Sequence, residues 1–177
     1  MNYWRITKYN PEFRDSNNIY QKDEWTSFTD INKVFNGKKL QLQDYLAIEK
    51  LYINAILQFI KTVNIPFIEI IDLEKYELDK DFINKYAEIY PDDIINAYNT
   101  TNNRSKITLD KLEQICILTL REHIWLKLEY EKTLFIHFGY DYYMYFGSDE
   151  KNDSFIENIK NSGLFVEEYE SPYLSES

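Results

Sequence analysis

Ile124-Trp125-Leu126-Lys127-Leu128-Glu129-Tyr130 is the run whose reading decides the fold, together with the two that follow it at residues 133–138 and 142–146. Ile124, Leu126, Leu128 and Tyr130 alternate with Trp125, Lys127 and Glu129, the period of two that sends successive side chains to opposite faces of a strand. Short turns at Glu131–Lys132 and at residues 139–141 separate the runs, so the stretch predicts an antiparallel three-strand meander. In its third strand Tyr143 and Tyr145 face one way and Tyr142, Met144 and Phe146 the other. One of the two ring sets belongs in the core.

Working outward, Thr108 is placed to cap a helix over residues 109–122, with Leu109, Leu112, Ile115, Cys116 and Thr119 on one face. The clearest helix is Leu42–Val63. Its polar positions, Gln43, Lys50, Asn54, Gln58 and Lys61, form one stripe at spacings of three and four, so the other sides are covered and the helix is the central packing element. Residues 3–9 and 67–72 read as strands, 79–90 and 91–98 as helices with Pro91 in the first turn of the second, and Thr29 or Asp30 as the cap of a short helix reaching Phe35. Beyond the meander, a helix starts at Ser148 or Asp149 and runs to Asn161, Gly163 sits just past its end, and residues 164–167 make a last strand. Residues 99–106 hold no large apolar side chain and predict a mobile loop; residues 171–177 predict a frayed tail. The expected fold class is α+β: a single domain over residues 1–177, with helices in the first two-thirds and a mainly antiparallel sheet later.

Composition bounds the function. A chain of 177 residues that is 44% hydrophobic can bury a full core without disulfide or metal. The formal charge is −10 and aromatic residues make up 17% of the chain, against two histidines, one cysteine and four glycines. Surplus negative charge repels phosphate backbones and anionic lipid and attracts basic partners, so the expectation is no direct nucleic-acid binding and no membrane association. The N-terminal residues lack an apolar leader segment and no run reaches membrane-span length, which predicts a cytoplasmic protein.

The chemistry-bearing motifs are thin. Glycines at 37, 139, 147 and 163 cannot build a phosphate-cradling loop, and one cysteine with histidines at 123 and 137 supplies none of the common zinc spacings, so no cofactor or metal is expected. Cys116 reads as a small buried hydrophobe and His123 as a cation at the negative end of a helix. His137 reads as a half-exposed sheet histidine; it could also meet Glu129 or Tyr143 on a neighbouring strand as an acid–base group, which would make the chain a hydrolase. The expected outcome is a protein without catalytic residues.

What remains is a set of acidic–aromatic clusters. The densest contains Tyr140, Asp141, Tyr143 and Tyr145, with Asp149 and Glu150 just beyond; a second holds Glu167, Glu168 and Tyr169; a third is Asp23-Glu24-Trp25. Tyrosines supply rigid contact area and carboxylates steer a basic partner, so these residues are the candidates for a protein-binding face.

The opening Asn2-Tyr3-Trp4-Arg5-Ile6-Thr7-Lys8-Tyr9-Asn10-Pro11, the segment Asp23-Glu24-Trp25-Thr26-Ser27-Phe28 and the ending Gly163-Leu164-Phe165-Val166-Glu167-Glu168 resemble stretches of immunity proteins from bacterial contact-dependent growth inhibition and related polymorphic toxin systems, in particular those paired with EndoU-type RNase toxins. The resemblance implies a stoichiometric inhibitor that binds its cognate toxin domain and occludes a basic active-site cleft. A non-catalytic regulatory or adaptor protein with another basic partner is the alternative.

Overall fold

The structure, a computed structural model, describes residues 1–174. Along them run β1 (Asn2–Thr7), β2 (Val34–Phe35), β3 (Lys38–Lys39), α1 (Leu42–Val63), β4 (Ile68–Lys75), α2 (Lys80–Lys85), α3 (Asp92–Thr100), β5 (Lys106–Ile107), α4 (Leu109–Leu120), β6 (Ile124–Tyr130), β7 (Leu134–Phe138), β8 (Tyr143–Ser148), α5 (Asp153–Ser162) and β9 (Phe165–Glu168). Three-residue 3-10 turns lie at Pro11–Phe13, Phe28–Asp30 and Ala87–Ile89.

The meander forms as its alternation requires, as β6, β7 and β8. It is the centre of a seven-stranded sheet in the order β5-β4-β6-β7-β8-β1-β9, with every pairing antiparallel. The fold is α+β, as the sequence predicts. One row of register partners, Trp4, Phe146, Ile136, Leu128 and Ile70, faces the helices and is buried. The next row, Glu167, Arg5, Tyr145, His137 and Lys127, faces the other way.

Helix α1 has the predicted bounds and the predicted exposed stripe. From its covered face Phe59 reaches across to the sheet, edge-on to Trp4 and Phe146 and tilted on Phe155 of α5, which ties helix, sheet and second helix in one ring cluster. Gly163 ends α5 with a left-handed φ of 103°, the conformation that glycine adopts without a Cβ clash.

Five expectations are corrected. The short helix to Phe35 is a 3-10 turn capped by Ser27, followed by the β2–β3 hairpin. Asn36 and Gly37, with φ of 49° and 76°, form the two-residue loop, and Asn-Gly favours such a turn more strongly than it ends a helix. The 79–90 helix divides at Tyr86 into α2 and a 3-10 turn. The 99–106 segment is not loop throughout: Asn99 and Thr100 finish α3, the Arg104 N–H donates to Ile70 O at 2.8 Å, the Ile70 N–H to Ser105 O at 3.0 Å, and Lys106 belongs to β5. Small polar side chains there are compatible with order because the backbone itself is paired. Helix α5 starts at Asp153, capped by Asn152, because Ser148 continues β8. Finally, Ser171 is buried and tyrosine 173 packs on the sheet, so the described part of the tail is docked; residues 175–177 lie outside the described residues.

The sequence reading missed a buried ion pair. Glu49 on α1 and Arg121 at the end of α4 are both almost fully enclosed and meet in two parallel bonds, Arg121 Nε to Glu49 Oε2 at 2.7 Å and Nη2 to Oε1 at 2.8 Å. Arg121 Nη1 also donates to Ile89 O, and the guanidinium lies over the rings of Phe28 and Tyr90. Burial disfavours the Arg121 charge, but the Glu49 hydrogen bonds and charge outweigh it and raise its pKa. Removing one partner strands the other charge. Glu49→Ala is expected to lower unfolding free energy by about 3–5 kcal/mol, whereas the double change Glu49→Leu with Arg121→Met recovers most of it; urea unfolding of the three proteins checks this.

Candidate functional site

The β7–β8 connection is a tight turn with an unusual occupant. Asp141 and Tyr142 are its central residues, with φ of 56° and 62°, and the Tyr143 N–H donates to Tyr140 O at 3.2 Å. That is the left-handed geometry normally given to Asn-Gly, and a bulky side chain there costs about 1–2 kcal/mol. Strand β8 therefore begins one residue later than the alternation suggests, at Tyr143. Tertiary bonds hold the turn. The Tyr142 hydroxyl lies 2.6 Å from Tyr45 Oη and 2.8 Å from Leu120 O, the Tyr45 hydroxyl donates to Leu120 O at 3.2 Å, and the Tyr52 hydroxyl donates to Tyr142 O at 2.7 Å. Burial pushes the Tyr45 and Tyr142 phenols well above their ordinary pKa, so they remain neutral hydrogen-bond donors.

The second strained element faces this turn. After α4, the His123 N–H donates back to Leu118 O and the Glu122 N–H to Thr119 O, a Schellman closure that puts Glu122 at the left-handed position, φ 61°. Glycine is the usual residue there. Glu122 is held by Ser27, whose hydroxyl donates to Oε2 at 3.0 Å. Its carboxyl pKa is raised by burial, opposed by the Ser27 bond and reinforced by the charges of Asp30 and Asp141.

Between the two lies a cavity of about 450 Å³. Rings of Trp125, Tyr52, Tyr76, Tyr140, Tyr142 and Tyr143 form much of its wall, and Glu122 and Asp141 are its only charged lining residues among those described. Neither carboxylate is paired with Lys, Arg or His among the described residues. Lys8, whose backbone N–H donates to Tyr52 Oη, has its ammonium on Glu24 at 3.2 Å and over the Trp25 ring at 4.1 Å.

The nine predicted contact residues do not converge. Tyr140, Asp141 and Tyr143 line the cavity, and Tyr140 is 74% exposed. Asp149 and Glu150 are exposed at the far end of β8, about 20 Å away at the rise of a strand. Tyr145 is buried on the outer sheet face, against the rings of Tyr169 and Tyr173. Glu167 is occupied by Arg5, at 3.0 and 3.1 Å from Oε2, and by Arg14 on Oε1. Tyr169 packs over the Arg5 guanidinium at 4.1 Å, and Glu168 is exposed at the sheet edge. Sequence reasoning missed Glu122, Trp125 and Tyr52. One signal for Glu122 was available: a carboxylate at the negative end of a helix opposes the helix dipole and calls for another role.

Both histidines depart from expectation. His123 is no helix-end cation. It is buried, with the Tyr90 hydroxyl 2.5 Å from Nε2, and burial and the Arg121 charge bring its pKa down to about 4. His137 is 1% exposed rather than half-exposed. Its Nδ1 meets Ser171 Oγ at 2.8 Å, Glu129 Oε1 lies 3.6 Å from Nε2, its ring stacks on Phe135, and burial lowers its pKa. Gly147 makes room for Phe135, since a Cβ at that position would fall 2.0 Å from the ring. Ser171 Oγ also accepts the Tyr173 N–H at 3.2 Å, so the Ser171–His137 contact latches the tail across the sheet. The expected approach of Glu129 to His137 is present, but in a buried latch rather than at a half-exposed position.

Among the described residues no group of three or more His, Cys, Asp or Glu is arranged to hold a metal ion, and no helix is long and apolar enough to cross a membrane. No protein-family model, curated protein or solved structure matches the chain.

Three outcomes are expected. Ser171→Ala leaves His137 Nδ1 without its partner and lowers stability by about 1–3 kcal/mol in urea unfolding, while Glu168→Gln at the exposed edge leaves it unchanged. Glu122→Gly relieves the left-handed strain and raises stability by about 1 kcal/mol. Because His123 is held near 4 when folded and titrates near 6.5 when unfolded, the unfolded state takes up its proton first as pH falls. That contribution is complete above about pH 6.5 and is lost toward pH 4; His123→Gln is expected to show a smaller fall in Tm between pH 7 and 4.5.

Proposed function

We propose that the protein is a non-catalytic immunity protein that binds a cognate toxin domain, a basic RNase, and occludes its active-site cleft. The observation that carries this reading is the cavity at the β7–β8 turn: two carboxylates without cationic partners set among tyrosine and tryptophan rings, with Tyr140 standing exposed beside them. Rigid rings and unpaired acids at one place are what a protein-binding anchor for a basic partner requires. The net charge of −10 supplies the long-range attraction. The sequence stretches that resemble immunity proteins include Thr26 and Ser27, which line the same cavity.

The remaining exposed acids divide by role. Asp149, Glu150 and Glu168 lie away from the cavity and steer the encounter; Tyr140 and Asp141 anchor. Co-expression with a candidate RNase toxin domain, followed by co-purification and an RNA-cleavage assay, tests the reading. A stable complex with suppressed cleavage is expected, and free, active toxin would contradict it. Within that complex Tyr140→Ala is expected to raise Kd by about 30-fold through faster dissociation, an effect of about 2 kcal/mol. Neutralising Asp149 and Glu150 together is expected to slow association and flatten its salt dependence with little change in dissociation.

A further inference from the structure

We infer that the cavity at the β7–β8 turn is a receptor for a single guanidinium side chain, an arginine presented by the partner. The inference rests on the reading of this face as the one turned to a basic protein, and it names the chemical group that enters. Two exposed carboxylates, Glu122 and Asp141, belong to the lining, one from the end of α4 and one from the turn. The Ser27 bond to Oε2 fixes the Glu122 carboxylate, and Oε1 has no hydrogen-bond partner among the described residues. Asp141 makes no side-chain hydrogen bond there either. The lining also holds the rings of Trp125 and five tyrosines, and a planar cation that stacks on a ring while donating in its own plane to carboxylates satisfies both features at once. The guanidinium group has that shape, whereas an ammonium is a compact, strongly hydrated point charge.

Charge balance points the same way. Arg5, Arg14, Lys8 and Arg121 all have acidic partners, Glu167 for the first two, then Glu24 and Glu49, so the acids paired with them are neutralised within the fold. Glu122 and Asp141 have no such partner among the described residues. The Glu122 carboxyl is raised first by burial and then by the charges of Asp30 and Asp141. A guanidinium entering the cavity supplies the cationic partner that both carboxylates lack among the described residues. The volume of about 450 Å³ accommodates the side chain together with part of the backbone that carries it.

The test uses the full-length protein and ethylguanidinium as the probe, with ethylurea as its neutral isostere. Chemical shifts of the Trp125 indole N–H, which donates to Phe138 O at 2.9 Å, and of the Gly139 and Tyr143 amides report on the cavity wall. Saturable shifts with ethylguanidinium are expected, with ethylurea at least about tenfold weaker, the size of one partly desolvated cation–π contact plus an ion pair. Asp141→Asn and Glu122→Gly should each weaken ethylguanidinium binding by a similar factor. Glu122→Gly matters because it removes the carboxylate while favouring the fold, so lost binding cannot be assigned to unfolding. Equal shifts with the two probes, shifts that never saturate, or binding unchanged in both variants would overturn the inference. Competition separates an arginine side chain from a free organic cation: ethylguanidinium should displace the toxin domain, and simultaneous binding of both would overturn the assignment to a partner arginine. Toxin inhibition without saturable ethylguanidinium binding sinks this inference and leaves the immunity reading standing; saturable binding without inhibition does the reverse.

Discussion

The Glu49–Arg121 pair is the constraint from which the rest of the molecule is arranged. It sits where α1, the end of α4 and the Ala87–Ile89 turn meet, and it fixes the depth and rotation of α4 against the central helix. Two residues of the candidate site flank Arg121 directly in the chain. Leu120 supplies the carbonyl that receives the Tyr45 and Tyr142 hydroxyls, and Glu122 follows in the left-handed position. A buried bidentate pair is poor value as stabilisation compared with well-packed apolar residues, but it allows one geometry only. The site therefore inherits its rigidity from the core rather than from its own loops.

The two faces of the sheet have different covers. Helices close the inner face with a conventional ring-rich core. The outer face carries Arg5, His137, Lys127 and several rings, and the acidic–aromatic tail lies across it, with Glu167 on two arginines, Tyr169 on Arg5 and Ser171 on His137. Lys127 is paired instead with Asp72 across β4. Much of the acidic and aromatic character at the C-terminal end is thus consumed inside the molecule. At the turn end of the sheet Tyr140 and Asp141 stay exposed.

The strands and helices were legible where periodicity was strong: the meander, the bounds of α1, the left-handed Gly163. They were not legible where chain conformation is set by tertiary bonds. Tyr142 and Glu122 adopt φ values that their own side chains disfavour, and no local signal in the sequence announces them. The hairpin at Asn36–Gly37 is different, since its dipeptide did carry the information and was read as a helix stop. For the site, Tyr140, Asp141 and Tyr143 were legible as an acidic–aromatic cluster. The loss of Tyr145 and Glu167 was not, because it depends on partners distant in sequence: Tyr169 and Tyr173 cover Tyr145, and Arg5 and Arg14 hold Glu167. Composition counts acids and rings; only the register shows which are already taken.

The central claim is that one end of the sheet, and not its tyrosine-rich length, is the contact face. Hydrogen–deuterium exchange on the protein alone and with the toxin domain proposed as its partner tests it most directly. Protection confined to residues 26–27, 122–125 and 139–143 is the predicted footprint. Protection centred on Asp149, Glu150 and the edge strand β9, with the turn unchanged, would contradict it.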